Sequence, residues 1–199
     1  MKQMLAAFTA LAVIAAPASA AAVVGRPAPN FKAADVNGKA VSLSDFRGKT
    51  VVLEWNNPEC PFVKKHYGAG NMQKQQRAAT GSGVVWLTVN SSAAGKQGHV
   101  DAAAAKAIIA RQGGAQTAYL LDAAGEVGRA YGAKTTPHMF VIDGRGTLRY
   151  NGAIDSIASA DQADITEATQ YVEQALADLA VGREVATSTT QPYGCSVKY

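Results

Sequence analysis

The sequence predicts one α/β domain, a sandwich with a parallel core that closes on an antiparallel strand pair. Three observations predict it. VVLEW (Val51 to Trp55) and VVWLTV (Val84 to Val89) are apolar runs of the kind that a sheet buries on both faces. Helical spacing follows each of them. HMFVID, the turn DGRG and TLRYNG then read as two strands joined by a tight turn, and a last amphipathic stretch supplies a closing helix.

Taken in order, Ala21 to Asn30 is Pro/Ala-rich and extended. FKAADVNGKAVSLSDFRGK follows, and Asn37-Gly38 between its short alternating runs marks an N-terminal β-hairpin. Thr50 to Trp55 is a buried strand interrupted by Glu54. A helix is expected from Pro58 to about Ala79, and Gly83 to Asn90 forms the second buried strand. VDAAAAKAIIARQ is an alanine-rich helix that Gly113-Gly114 stops. Ala118 to Leu121 reads as a strand and Gly125 to Tyr131 as a short helix ending at Gly132. Asp164 to Ala180 carries Ile165, Ala168, Val172, Ala175, Leu176 and Leu179 at helical spacing before Gly182. The tail from about residue 183, which ends TSTTQPYGCSVKY, is turn-forming and not helical.

The first twenty residues stand apart from this pattern. Lys2, the apolar segment Leu5 to Ala16 and the small-residue sequence Pro17-Ala18-Ser19-Ala20 have the layout of a cleaved signal peptide. Residues 21–199 are then one domain, delivered to the periplasm or secreted, with no membrane attachment after cleavage. The formal net charge of +4 reflects a small excess, 19 Lys and Arg against 15 Asp and Glu, with no basic run beyond Lys64-Lys65. Nucleic-acid and anionic-membrane binding are therefore disfavoured. An oxidising compartment lets the two cysteines, Cys60 and Cys195, pair with each other.

PAPNF, DVNGKAVSLSDFRGKTVVLEW, the Cys60 segment NNPECPFVKKHY, TTPHMFVID and DGRG, in this order, resemble the redoxin (AhpC/TSA, peroxiredoxin-like) branch of the thioredoxin-like superfamily. The ending PYGCSVKY, paired with a CPFVK-type first cysteine, is similar to its group with a second cysteine near the C-terminus. The resemblance implies a thioredoxin-like fold, a central mixed sheet flanked by helices. It also implies a nucleophilic Cys60 at a helix start and a cis bond between Thr136 and Pro137 beside it. The activity implied is oxidoreduction, by thiol–disulfide exchange or slow peroxide reduction. Its substrates would be protein thiols and disulfides or small hydroperoxides, with an unidentified reductant and no cofactor.

The chemistry of the motif agrees. Only a thiolate attacks a disulfide, and the positive end of a helix lowers a cysteine's pKa. Thioredoxins carry a second cysteine where this chain has Val63, so no local disulfide can form. Peroxiredoxins have a hydroxyl residue where Asn57 stands and an arginine where Pro137 stands, so the groups that polarise a peroxide are missing. Cys195 is the candidate resolving cysteine. Its alternative is a permanent structural bridge to Cys60, worth about 4–5 kcal/mol by loop-closure entropy, in a domain that need not be catalytic. Glu54 is either a buried proton relay or a strand-end acid that reaches water or a lysine. Trp55 and Trp86 read as core aromatics at strand positions, with shielding of the sulfur as the alternative for Trp55. The three histidines, His66, His99 and His138, read as surface or packing residues. A second functional class is a copper-binding or metallochaperone-like module using Cys60, Cys195 and His138, because soft thiolates select Cu(I).

Overall fold

The computed structural model describes residues 21–199; the predicted signal peptide, residues 1–20, lies outside the described residues. The hairpin forms as β1 (Lys32–Asp35) and β2 (Ala40–Ser42), with Gly38 at φ 77° in the turn. β3 (Val51–Trp55), β4 (Val85–Asn90) and β5 (Ala118–Leu121) run parallel, and β1 attaches the hairpin antiparallel to β5. β6 is the two-residue strand Thr135–Thr136. β7 (His138–Ile142) and β8 (Leu148–Gly152) form the antiparallel pair, with β7 against β3. The order across the seven-stranded sheet is β2-β1-β5-β4-β3-β7-β8.

Alternation along β3 sends its side chains to two separate cores. Leu53 and Trp55 join Phe31, Leu87, Tyr131 and Phe140 on one face. Val52 joins Cys60, Val63, Trp86, Met139 and Val172 on the other. A smaller cluster around Val36, Val100 and Tyr119 takes the partly buried Ile108 and Ile109 of α3 (Ala102–Gln112), which Gly113 ends in the left-handed conformation.

Two predicted helices are interrupted. The helix expected from Pro58 to about Ala79 is two, α1 (Pro61–Gly68) and α2 (Asn71–Gly81), because Gly70 turns the chain at φ 72°. α4 (Glu126–Tyr131) follows, and Gly132 is its left-handed cap. The helix expected from Asp164 to Ala180 is a 3-10 turn, Gln162–Thr166, followed by α5 (Tyr171–Ala180). Between them the backbone pairs with residues 155 and 156: Ser156 N–H donates to Thr169 O at 3.1 Å, and Thr169 N–H donates to Ser156 Oγ at 2.9 Å. These bonds fix an extended segment that helical periodicity cannot reveal.

The tail is not helical, but it is fastened rather than loose. Thr190 Oγ1 accepts from Ala153 N–H at 2.9 Å, and Thr190 N–H donates to Asn151 O at 3.2 Å. Further on, β9 (Cys195–Ser196) pairs antiparallel with β6, Val197 N–H donates to Lys134 O, and Tyr199 OH donates to Ala133 O. No helix among the described residues is long and apolar enough to cross a membrane.

Candidate active site

Cys60 is the N-cap of α1, in extended conformation, and Pro61 begins the helix where a missing N–H costs nothing. Asn57 shapes the entry. Its Oδ1 accepts from Glu59 N–H at 2.9 Å and its carbonyl from Cys60 N–H at 3.0 Å, so this side chain closes the turn in front of the cysteine. Cys60 is completely buried.

Its sulfur faces two backbone groups. Cys60 Sγ donates to Thr136 O at 3.0 Å, and Cys195 N–H points at Cys60 Sγ across 3.4 Å. The Thr136–Pro137 bond is cis. In the β6–β9 register Cys195 stands opposite Thr136, and Thr136 Oγ1 donates to Cys195 O at 3.4 Å. The tail is therefore laid along the strand that carries the acceptor for Cys60, and both cysteines are free thiols within hydrogen-bonding reach.

This arrangement makes the pair unequal. Burial by itself raises the Cys60 thiol. Hydrogen bonding from the Cys195 and Thr136 side chains, with the pull of the Val63 and Cys195 backbone N–H groups, outweighs burial and leaves its pKa below the ordinary value. Burial and the facing Cys60 sulfur push Cys195 the other way, up to about 11. One sulfur is set to be the thiolate and the other to keep its proton.

Glu54 lies on the same face of β3 as Val52 and is completely buried. It reaches neither water nor a lysine. Oε1 accepts from Asn56 Nδ2 at 3.0 Å and Tyr67 OH at 2.8 Å. Oε2 accepts from Gln76 Nε2 at 3.1 Å, Trp86 Nε1 at 2.8 Å and Thr88 Oγ1 at 3.1 Å. These neutral donors come from α1, α2, β4 and the loop after β3, and none of them bonds to either cysteine. Trp55, the candidate shield, belongs to the opposite core, where it packs on Phe140 and donates to Ser91 Oγ.

His138 is buried against Phe140 with both ring nitrogens engaged: Nδ1 accepts from Lys134 N–H at 3.2 Å, and Nε2 donates to Asn151 Oδ1 at 2.8 Å. Burial lowers its pKa to about 4. It offers no lone pair toward the cysteines. Among the described residues no three His, Cys, Asp or Glu side chains stand together as a metal-ligand set, so Cys60, Cys195 and His138 are not assembled into one.

A second polar cluster beside the site had no sequence signal beyond the KKH triplet. Lys65 is buried, with Nζ 3.5 Å from Asp155 Oδ2 and donating to Ile157 O at 3.1 Å. His66 is buried with it, and burial lowers its pKa to about 4. Tyr193, from the tail, donates its phenol proton to Asp155 Oδ1. Lys64, by contrast, is exposed, as is His99.

A model described as the AhpC/TSA family matches residues 24–151. Thiol-disulfide oxidoreductase ResA from Bacillus thuringiensis is 27% identical over 125 residues, covering 63% of this chain and 66% of that protein. The chain thus spans just under two-thirds of the length of this curated relative. An uncharacterized conserved protein from Geobacillus kaustophilus superposes with a TM-score of 0.76 at 25% identity, covering 89% of this chain and 92% of the other. The thioredoxin domain of a thiol-disulfide oxidoreductase from Bacteroides vulgatus superposes with a TM-score of 0.52 at 22% identity, covering 73% and 96%. The fold is thioredoxin-like.

Proposed function

This chain belongs to the AhpC/TSA family, and we propose from that premise that it is a thiol–disulfide oxidoreductase working through Cys60 and Cys195. The observation that carries the reading is their apposition: the Cys195 N–H lies 3.4 Å from Cys60 Sγ, and the two thiols are displaced in opposite directions. The likeness to ResA, a thiol-disulfide oxidoreductase by name, supports the same class.

In the proposed cycle the Cys60 thiolate attacks one sulfur of a substrate disulfide. That S–S bond breaks, the leaving sulfur departs as a thiolate, and a mixed disulfide forms on Cys60. Cys195 then gives its proton, through solvent, to the departed substrate thiolate and attacks Cys60 Sγ, which releases the substrate's second sulfur and forms the Cys60–Cys195 bond. The substrate gains two electrons and the protein loses two. An external dithiol reverses both halves: one of its sulfurs attacks Cys60 and releases Cys195, the other attacks that mixed disulfide and releases Cys60, and the dithiol is oxidised to its disulfide. Thr136 O accepts from the Cys60 thiol in the resting protein, a bond that ends when the thiolate forms, and the Cys195 N–H is the donor that then faces the sulfur; Pro137 shapes the edge on which Thr136 sits. Glu54 has a place as either proton relay or structural anchor, and its bonding supports the anchor.

The substrates are protein thiols and disulfides. Hydroperoxides are a slower second substrate, reduced to an alcohol or water as Cys60 becomes a sulfenic acid that Cys195 condenses with loss of water. Residues 1–20 support export to an oxidising compartment.

The test is equilibration of the native protein in glutathione redox buffers, with disulfides mapped by mass spectrometry. A Cys60–Cys195 bond that forms and is reduced reversibly, and that disappears in Cys60→Ser and Cys195→Ser, is expected. A bond that cannot be reduced without unfolding makes the bridge structural and removes the exchange mechanism.

A further inference from the structure

The tail reaches Cys60 through a short turn, Tyr193-Gly194-Cys195, and Tyr193 is gripped by the same helix that Cys60 begins. The Tyr193 phenol donates to Asp155 Oδ1, while His66 Nε2 lies 3.2 Å from its oxygen. His66 Nδ1 accepts from Asn71 Nδ2 at 2.9 Å, which places the ring proton on Nε2. The bonds therefore run in one direction, from His66 N–H to the Tyr193 oxygen and from the Tyr193 O–H to the carboxylate. Phe62 of α1 packs edge-on against the Tyr193 ring at 5.7 Å.

The receiving carboxylate is itself fixed. Asp155 is buried, Oδ1 also accepts from Ile157 N–H at 3.2 Å, and the Lys65 ammonium faces Oδ2 at 3.5 Å. Burial and the facing carboxylate raise the Tyr193 pKa far above the ordinary phenol value, so the phenol remains a donor throughout the working pH range. A hydrogen bond to a charged acceptor in such a place contributes more than a neutral one.

We infer that Tyr193 is a positioning residue, a latch on α1 that holds the Cys195 segment of the tail over Cys60 and so sets how readily the two sulfurs join. The inference rests on the thiol–disulfide reading and deepens it. With the latch closed, Cys60 is wholly covered and Cys195 is presented to it at high effective concentration. With the latch open, an external thiol or disulfide gains access to Cys60 and the internal partner is lost. Closing the latch thus favours the internal disulfide and opposes external attack.

The reaction that reads this is two protein thiols plus one glutathione disulfide giving the Cys60–Cys195 disulfide plus two glutathione thiols. Tyr193→Phe keeps the ring on Phe62 and removes the bond to Asp155. Its equilibrium constant should fall about tenfold or more, a rise of about 30 mV or more in the potential of the couple. In a Cys195→Ser background the same substitution should speed alkylation of Cys60 by a small electrophile, again about tenfold. Both readings are taken in buffer without denaturant, where the variant's urea curve shows it fully folded, so that loosening of the whole fold does not account for them.

An equilibrium constant within twofold of wild type would overturn the latch. Should Tyr193→Phe fail to fold, Asp155→Asn, which keeps an acceptor oxygen but removes the charge, is read in the same way: a fall of more than twofold supports the latch, and a constant within twofold of wild type overturns it. If wild type itself forms no Cys60–Cys195 disulfide in glutathione, the thiol–disulfide reading fails; if wild type forms it and the variant matches wild type, only the latch fails.

Discussion

Replacing Glu54 by glutamine separates an anchor from a proton relay. The carboxylate accepts from five donors, two on Oε1 and three on Oε2, and is fully buried. A glutamine can turn its carbonyl toward Gln76, Trp86 and Thr88, but its NH2 then meets the Asn56 amide and the Tyr67 phenol, both donors. Each buried donor left without an acceptor costs about 1–3 kcal/mol. Relief from burying a charge offsets part of this. We expect Glu54→Gln to lose about 3 kcal/mol by urea unfolding and about 6–12 °C in melting temperature. No bond of the cluster leads to either cysteine, so the pH profile of Cys60 alkylation should stay where it is in wild type. A loss below about 1 kcal/mol would contradict the anchor, at the low end of the cost of one orphaned donor. A displaced pH profile would restore the relay.

Other outcomes follow from the same geometry. His66 and His138 have folded pKa values lowered to about 4 by burial, below the unfolded value of about 6.5. The unfolded chain takes up these protons first, so stability is lost as pH falls through the unfolded value toward the folded one. Urea midpoints measured between about pH 7 and pH 5 should show a loss of about 2 kcal/mol per histidine, and a flat profile would contradict their neutral burial. Gly194 has φ 125°, and a Cβ there would stand 2.1 Å from Thr136 O, so Gly194→Ala must lift β9 off β6. It should lower the Cys60–Cys195 equilibrium constant in glutathione by tenfold or more. An unchanged constant would mean that the strand pairing does not position Cys195.

The parts of the fold that could be read in the sequence are those written in local pattern. The apolar runs of β3 and β4, the Asn37-Gly38 turn, the Gly113 and Gly132 stops and the HMFVID strand all announce themselves. The break at Gly70 does not, because, of the two glycines within helical spacing, Gly68 is kept in α1 while Gly70 turns the chain. The delayed start of α5 does not either, because it is set by hydrogen bonds of Thr169 to the backbone and side chain of Ser156. In the site, Cys60 and Thr136-Pro137 stand out by motif. Lys65, His66, Asp155 and Tyr193 remain hidden because Asp155 belongs to a segment without any motif and meets its partners only in the folded chain. The fastening of the tail is not legible because its anchors are mostly backbone groups of Lys134, Asn151 and Ala153, which leave no trace in residue identity.

The unequal thiol pair is tested most directly by titrating thiolate ultraviolet absorbance in the reduced wild-type protein, Cys60→Ser and Cys195→Ser. One thiolate should appear below about pH 8.5, the free-cysteine value, in wild type. That step should be absent from Cys60→Ser and present in Cys195→Ser, where the serine hydroxyl and the backbone N–H still face Cys60 as donors. A wild-type protein with no thiolate below that pH, or one whose early step survives in Cys60→Ser, would contradict the unequal pair.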